Sequence, residues 1–293
     1  MKLVNQKVDI WSFESDESHD MQDLLDAMWN HIERCTRVCY QSIPKTKESG
    51  EEFCKRTILA NNHLGMLEHG TVYLTVPSKY PQKNTITYKY KANPYSKVFE
   101  TDNASYITTN YRVIYENKWE KDLDFISEKT DIHYERVTLN IITSIGIARE
   151  LCRHRHFSFA QESTRYVNYG KNEHIQFIIP AEFKLNDGIY FINDNQEVCG
   201  DGYIQTELDD TASFLTSYIL FSDYVNELYS ELLTHYKPQF ARNVLPLCLK
   251  TQIIMTGFMD DWMDFINKRY YELTGKVHPD MKQLATYIFD ILQ

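Results

Sequence analysis

The sequence lacks long apolar segments and paired cysteines. Its 293 residues contain no run of about 18 apolar residues, the length that a transmembrane helix needs. The N-terminus (MKLVNQKVDIWSFESDESHD) becomes acidic where a signal peptide would have its apolar region. The six cysteines are scattered, without the spacing of a disulfide framework or a zinc site. We therefore expect a globular cytoplasmic protein with no membrane partner, no bound metal and mostly buried thiols.

Positive charge is also scarce. Lysine and arginine number 31 against 41 aspartates and glutamates, a formal net charge of -10. Such a chain should repel nucleic acid and anionic membranes, so any anion site has to be local. A hydrophobic content of 43% and an aromatic content of 14% support a sizeable core.

Hydrophobic periodicity predicts helices and strands in mixed order. For one helix the apolar stripe runs from Leu24 to Cys35, and Ser15 or Ser18 is the candidate cap. The other predicted helices are 50–61, 137–152, 205–235 (stopped by Pro238), 246–270 and 280–291. The predicted strands are 2–13, 72–76, 85–90, 104–115, 174–179 and 189–192, with a turn at 200–202.

These elements suggest one α+β domain over residues 1–293, without repeats, low-complexity segments or an obvious linker. The polar, tyrosine-rich stretch 77–131 is predicted to be a β-rich excursion.

The most informative stretch is 152–170 (CRHRHFSFAQESTRYVNYG), where basic and aromatic residues alternate. Arg153, His154, Arg155 and Arg165 lie within it, and the planar guanidinium fork suits phosphate. By itself this pattern is also typical of a solvated basic turn with core aromatics.

The order Arg153-His154-Arg155, seven residues, Ser163, then Arg165-Tyr166 resembles the signature of the flavin-dependent thymidylate synthases. The resemblance covers most of the chain, and two stretches near 80–130 and 184–206 look like insertions. It extends to residues 37–40 (RVCY), 63–69 (HLGMLEH), Ala241-Arg242, Leu245-Pro246, Asn267, Arg269 and His278-Pro279. The fold it implies is a single α+β domain with a central antiparallel-type sheet flanked by long helices.

The resemblance implies reductive methylation of dUMP to dTMP, with methylenetetrahydrofolate as carbon donor and NADPH as reductant through FAD, in a homotetramer. It assigns dUMP binding to Glu150, Arg153, Gln161, Glu162, Ser163, Thr164, Arg165, Arg242 and Arg269. It assigns FAD binding to His63, Gly65, Arg153, His154, Arg155 and Asp264. Two of these depart from the family pattern: Gly65 stands where serine or threonine is usual, and Asp264 where an asparagine can contact the cofactor.

Three residues have distinct expected roles. Arg269 is the candidate catalytic residue, because a guanidinium at the uracil N3–O2 edge would stabilise negative charge on the activated ring. Arg165 suits the phosphate as a bidentate donor. Ser163 has no base beside it in sequence, so we interpret it as a nucleotide ligand and not as a nucleophile.

Two other functions are compatible with parts of the sequence. Arg153, Arg155, Arg165 and the neighbouring aromatics could form a stacking platform for single-stranded nucleic acid, although the acidity of the chain disfavours this. A metal-dependent hydrolase could use His63, His69, His154 and His156, but no His-Glu-x-x-His helix occurs. Flavin absorbance near 450 nm, roughly that of any oxidised flavin, would separate the first function from both.

Overall fold

The computed structural model describes residues 1–12, 20–44, 47–171, 175–195, 198–200 and 210–293. The strands are β1 (Lys2–Val4), β2 (Lys7–Ile10), β3 (Thr71–Pro77), β4 (Lys97–Glu100), β5 (Ala104–Asn110), β6 (Arg136–Ser144), β7 (Ser158–Gln161), β8 (Gln176–Ile178), β9 (Gly188–Ile192), β10 (Val198–Gly200) and β11 (Lys250–Phe258). The helices are α1 (Met21–Val38), α2 (Gly50–Cys54), α3 (Lys83–Lys91), α4 (Tyr111–Asn117), α5 (Ile145–Leu151), α6 (Asp210–His235), α7 (Pro238–Ala241), α8 (Met259–Arg269) and α9 (Pro279–Ile291).

The central sheet has the order β2-β6-β11-β7 and is antiparallel throughout. Its two long strands, β6 and β11, pair from Ser144 opposite Lys250 to Arg136 opposite Phe258. One hydrophobic cluster joins this sheet to α8 and α9 through Trp262, Phe265, Met281, Leu284 and Ile288. Another joins it to α1 through Cys35, Val38, Ala160 and Ile254. The predicted α+β fold with an antiparallel sheet between helices is therefore confirmed.

Two predicted helices are wrong, because their cores are strands of this sheet. The predicted helix 137–152 is β6 followed by the short α5, and the predicted helix 246–270 is β11 followed by α8. Both strands are buried along nearly their whole length. In β11 apolar and polar residues do not alternate, so periodicity cannot separate it from a helix. β6 does alternate from Val137 to Ile141, but the spacing of four between these two residues also fits a helix.

A second sheet, β3-β5-β4, is antiparallel and packs with α1, α3 and α4. The predicted strand 72–76 is confirmed: Val72, Leu74 and Val76 are all buried within β3. The predicted strand 85–90 is wrong, since these residues belong to α3, where Ile86, Thr87 and Tyr90 face the core. The predicted strand 104–115 divides into β5 and α4, where Asn110 caps the new helix.

A third sheet, β10-β9-β1-β8, has a parallel β1–β8 pair and packs against α6. The predicted strands 174–179 and 189–192 appear as β8 and β9. The predicted first strand 2–13 is interrupted at Asn5 and Gln6, which separate β1 from β2. Residues 205–209 of the predicted long helix and 201–202 of the predicted turn lie outside the described residues.

Three predicted helices are confirmed, and for α2 and α9 the predicted start is confirmed as well. α1 begins after Asp20, which accepts a hydrogen bond from the Asp23 N–H at 2.9 Å, whereas the candidate caps Ser15 and Ser18 lie outside the described residues. α2 begins with a capping box between Ser49 and Glu52 and continues as a π-type turn over Lys55–Leu59. α9 follows His278, with Pro279 in its first turn.

Candidate functional site

The basic motif emerges directly from the central sheet. At the end of β6, the Ser144 Oγ accepts a hydrogen bond from the Ile147 N–H at 3.2 Å and caps α5. After α5 ends at Leu151, turns carry Arg153 to His156, and the chain re-enters the sheet as β7. The residues before and after this four-residue strand are therefore separated by roughly 16 Å of backbone.

A cavity of about 240 Å³ lies beside the turn that precedes β7. Asp264 and Lys268, one turn apart on α8, form an ion pair of 2.6 Å at its wall. Its lining residues are Arg153, His154, Arg155, His156, Phe157, Asp261, Asp264 and Lys268. Three Arg and Lys side chains and two carboxylates thus line this cavity, and Arg269 contacts one of its lining residues, His154. The excess positive charge suits an anion such as pyrophosphate.

Arg269 and His154 form a direct contact. The Arg269 Nε–H donates to His154 Nε2 at 3.1 Å, and the imidazole packs edge-on against Phe265 with ring centroids 4.9 Å apart. Because Nε2 accepts, the proton of the neutral ring belongs on Nδ1. Burial, and then the nearby charges of Arg269 and Lys268, lower the pKa of His154 to about 4. The imidazole is therefore neutral at physiological pH and can orient Arg269.

A second cavity, of about 530 Å³, lies beyond the other end of β7. His63, Gly65 and Met66 line one wall and Tyr166 another, with its ring 5.2 Å from that of Tyr40. A Cβ added at Gly65 would meet no atom within 4 Å, so this position opens into free space. The remaining lining comes from Thr36, Cys39, Thr57, Ile58, Asn62, Leu64, Arg112 and Glu116.

The predicted FAD residues thus form two groups within one chain. Arg153, His154, Arg155 and Asp264 share the smaller cavity, whereas His63 and Gly65 line the larger one.

The predicted nucleotide loop 161–165 is held by buried polar contacts. The Ser163 N–H donates to the Cys39 carbonyl at 3.0 Å, and the Gln161 side chain donates to Thr251 Oγ1 at 3.3 Å. Glu162 is buried and accepts from the Lys250 ammonium at 2.9 Å and from the Gln252 N–H at 3.1 Å. Its carboxylate therefore anchors the loop to β11.

Arg165 and Arg242 are among several described cations that form no ion pair. Both are exposed, and neither forms an ion pair with a carboxylate among the described residues. Arg165 lies 5.4 Å from the Tyr166 ring centroid, and Thr164 precedes it in the loop. The alternative that these arginines pair with surface carboxylates is thus not supported by the described part of the chain.

Glu150 lies on α5, and Arg242 lies in the segment after α7. These two segments contact each other. Glu150 is half-buried near the end of α5. At the start of that helix, the Gly146 N–H donates to the Leu247 carbonyl at 2.9 Å, five residues after Arg242.

Sequence reasoning placed Asp264 and Arg269 of α8 at the site but missed Asp261 and Lys268, which line the same cavity. Asp261, Asp264, Phe265 and Lys268 recur at helical spacing, so one face of the helix that carries Arg269 lines the smaller cavity. That spacing was a usable signal, but the predicted helix 246–270 began too early to direct attention to it.

The described residues include no group of three His, Cys, Asp or Glu side chains placed to hold one metal ion. His69 is buried and bonds Thr256 through Nδ1 at 2.8 Å, while His154 bonds Arg269. The geometry therefore lends no support to the hydrolase alternative. Among the described helices, none combines the length and apolar character needed to cross a bilayer.

Comparison with known proteins identifies the family. The family described as "Thymidylate synthase complementing protein" matches residues 127–293, more than half of the chain, and the chain belongs to it. The matched region contains the central β6, β7 and β11, the motif and α8.

Named relatives match about half of the chain. A probable flavin-dependent thymidylate synthase of Paramecium bursaria Chlorella virus 1 is 29% identical over 154 residues, which cover 52% of this chain and 65% of the relative. A flavin-dependent thymidylate synthase of Corynebacterium aurimucosum is 29% identical over 153 residues, covering 51% and 54%. The matches thus span between about half and two thirds of these relatives.

Solved structures of a UMP/dUMP methylase from Streptomyces cacaoi are also similar. The structure with 5-Br dUMP is 22% identical, covers 52% of this chain and 64% of that one, and has a TM-score of 0.39. The structure with 5-Br UMP is 16% identical, covers 98% and 88%, and has a TM-score of 0.42.

Proposed function

We propose that this protein is a flavin-dependent thymidylate synthase that converts dUMP to dTMP. Methylenetetrahydrofolate would donate the carbon, and NADPH would supply reducing equivalents through FAD. The observation that carries the proposal is the Arg269–His154 contact, which joins the candidate catalytic arginine to the basic motif beside an electropositive cavity. Family membership and the names of the relatives support it.

The residues around the smaller cavity fit the phosphates of FAD. Arg153 and Arg155 are exposed on the motif turn, and Lys268 balances Asp264, which removes much of the repulsion that this aspartate would exert on a phosphate. When bound, the flavin supplies the redox chemistry of the methyl transfer. The protein's task is to hold it, orient the nucleotide and keep Arg269 in place.

The nucleotide would bind along the loop after β7. Ser163 and Thr164 present hydroxyl groups there, and Arg165 and Arg242 supply charges that no described carboxylate neutralises. Glu162 would act by fixing this loop through Lys250, with Gln161 as a second anchor and Glu150 contributing from the end of α5.

Arg269 would act as the electrostatic catalyst. Its Nε is engaged by His154, which leaves the two terminal nitrogens as a planar fork for the N3 and O2 edge of uracil. Negative charge that develops on the ring as its C5 becomes nucleophilic would be stabilised by this pre-oriented fork.

The complete site would form between subunits of a homotetramer in the cytoplasm. In support, one chain holds the predicted FAD residues in two cavities, so a second subunit could complete each site. Residues 80–130 and 184–206 would be insertions in a single family domain. Most of the first stretch precedes residue 127, where the family match begins.

The decisive experiment is reconstitution with purified protein. We expect flavin absorbance after incubation with FAD, and dTMP formation only when dUMP, methylenetetrahydrofolate and NADPH are all present. Protein that neither carries nor takes up FAD at micromolar concentrations would overturn the proposal.

A further inference from the structure

A cavity of about 400 Å³ lies apart from the candidate active site. Helix α1, strand β3, the ends of β2 and β6, and residues 126–129 enclose it. None of its lining residues belongs to the motif or to the predicted site residues, and its volume suits a small organic ligand. Its walls from α1, β2 and β3 precede residue 127, where the family match begins.

Arg136 at the wall of this cavity is a cation without a counter-ion. Its Nη1 donates to two neutral acceptors, the Glu68 carbonyl at 3.2 Å and Thr71 Oγ1 at 3.3 Å. Its Nε is buried and has no hydrogen-bond partner. No carboxylate among the described residues forms an ion pair with it.

The charges of Glu68 and Asp261 act on Arg136 without forming an ion pair with it, and Glu68 and Glu135 are engaged elsewhere. Glu68 pairs with Arg112 at 2.6 Å, and Glu135 pairs with Lys129. Burial lowers the pKa of Arg136 to about 10, so the guanidinium still carries its charge at neutral pH. A buried charge without a partner is costly, and an anion entering the cavity would relieve that cost.

The rest of the lining includes the aromatic ring of Trp11 and also charged side chains, among them Glu128, Lys129 and Glu135. Arg34 lies 3.8 Å from the Trp11 ring centroid but does not line this cavity. Ile10, Leu24, Ala27, Ile126 and Val137 supply further apolar surface.

We propose that this cavity is a binding site for a small organic anion that has a flat apolar body and one carboxylate or phosphate group. The anionic group would bind the Arg136 guanidinium where it lines the cavity, and the body would lie against Trp11 and the apolar residues of the wall. The site is separate from the proposed catalytic function and can be tested whether or not the protein makes dTMP.

Titration calorimetry with three matched probes tests the proposal: naphthoate, naphthyl phosphate and the uncharged naphthalenemethanol. We expect at least one anion to bind about tenfold or more tightly than the alcohol, because a charge-assisted hydrogen bond typically contributes that much. The stronger of the two anions identifies the acidic group. The titrations are run with and without FAD and dUMP, so that binding at the candidate active site is recognised.

Two test variants, each with a control variant, locate the binding. Arg136→Met should abolish the preference for anions, while Arg34→Met, which removes an equal charge on the far side of Trp11, should retain it. Ala27→Phe should fill the cavity and weaken all probes that bind there, whereas Ala92→Phe at an exposed position should not. If Arg136→Met fails to fold, the Ala27→Phe comparison decides. Equal affinity for anions and alcohol, or unchanged anion binding in Arg136→Met or in Ala27→Phe, would overturn the proposal.

Discussion

At the scale of single residues, Arg165 and Arg269 should divide substrate binding from chemistry. The phosphate of dUMP has the same charge in the ground state and the transition state, so Arg165→Ala should raise KM more than it lowers kcat. Arg269 faces charge that appears only during the reaction, so Arg269→Ala should lower kcat by about 10²–10³. Steady-state methylation kinetics at saturating FAD measure both effects.

Arg269→Lys is the matched control for charge alone. It keeps the cation but loses both the fork and the Nε–H that bonds His154, so it should remain badly impaired. Flavin affinity should survive in Arg165→Ala and Arg269→Ala. A near-normal kcat with only a raised KM in Arg269→Ala would disprove the catalytic assignment.

His154 should act as a positioning residue for Arg269. His154→Gln retains a side-chain oxygen that can accept from the Arg269 Nε–H, so it should lose less kcat than His154→Ala when FAD is saturating. Since burial and neighbouring cations lower the pKa of His154 to about 4, the acceptor persists as pH falls through 6.5. The dependence of kcat on pH near 6.5 should therefore be the same in the wild-type protein and in His154→Gln. Equal losses in the two variants would contradict the positioning role.

At the scale of elements, residue spacing did not identify the two central strands as strands. In β6, Val137 and Ile141 are spaced as on a helix, yet the strand also contains Thr138, Ile142 and Thr143. Such β-branched residues favour strands because their χ1 rotamers are restricted in helices. β3, where buried and half-buried residues alternate toward its end, was predicted correctly. α3 is the reverse case, since tertiary packing of Ile86 and Tyr90 overrides the strand propensity of the segment.

The candidate site was predictable where a local motif specifies it. The spacing of Arg153 to Tyr166 was sufficient to indicate the family, which the family match confirms. The contact between Arg269 and His154 joins residues 115 positions apart, and no local pattern encodes it. The burial of Glu162 against Lys250 likewise depends on β11, and sequence periodicity predicted a helix for that segment.

Gly257 in β11 should be essential for the motif turn. A Cβ there would lie 2.4 Å from the Phe157 ring, which packs on Trp262 with centroids 4.5 Å apart. Gly257→Ala should thus displace Phe157 and destabilise the protein by about 1–3 kcal/mol, as overpacking typically does. Urea unfolding measures this change. Gly65→Ala is the control, because its Cβ meets open space; an equal loss in both variants would refute the packing argument.

At the scale of the whole molecule, assembly should be required for activity. Arg153→Ala affects the smaller cavity, while a bulky change such as Gly65→Trp blocks the larger one. If the flavin site combines these regions from different subunits, two inactive variants should regain part of their activity after mixing and reassembly. Sedimentation equilibrium should show a tetramer. A fully active monomer, or mixtures that stay inactive although subunits exchange, would contradict the shared site.

A buried network of hydrogen-bonded side chains across the central sheet should make the stability of the molecule sensitive to acid. His31 Nε2 contacts Thr138 Oγ1 at 3.3 Å, Thr138 contacts Thr256 at 2.8 Å, and Thr256 contacts His69 Nδ1 at 2.8 Å. This network links α1, β6, β11 and the short helical turn Leu64–His69. Both histidines are buried, and burial lowers the pKa of each to about 3.

The free energy of unfolding should consequently decrease as pH falls below about 6.5, where unfolded histidines begin to bind protons that the folded ones exclude. Each histidine contributes at most about 1.4 kcal/mol per pH unit, so the pair contributes at most about 2.7. Urea unfolding between about pH 7 and 5, where most carboxylates stay ionised, measures this effect together with that of His133 and His154, whose pKa values are also lowered by burial. The double variant His31→Gln, His69→Asn keeps polar atoms near Thr138 and Thr256 but does not titrate, so its slope should be much shallower. An unchanged slope in this variant would show that other groups govern the acid sensitivity.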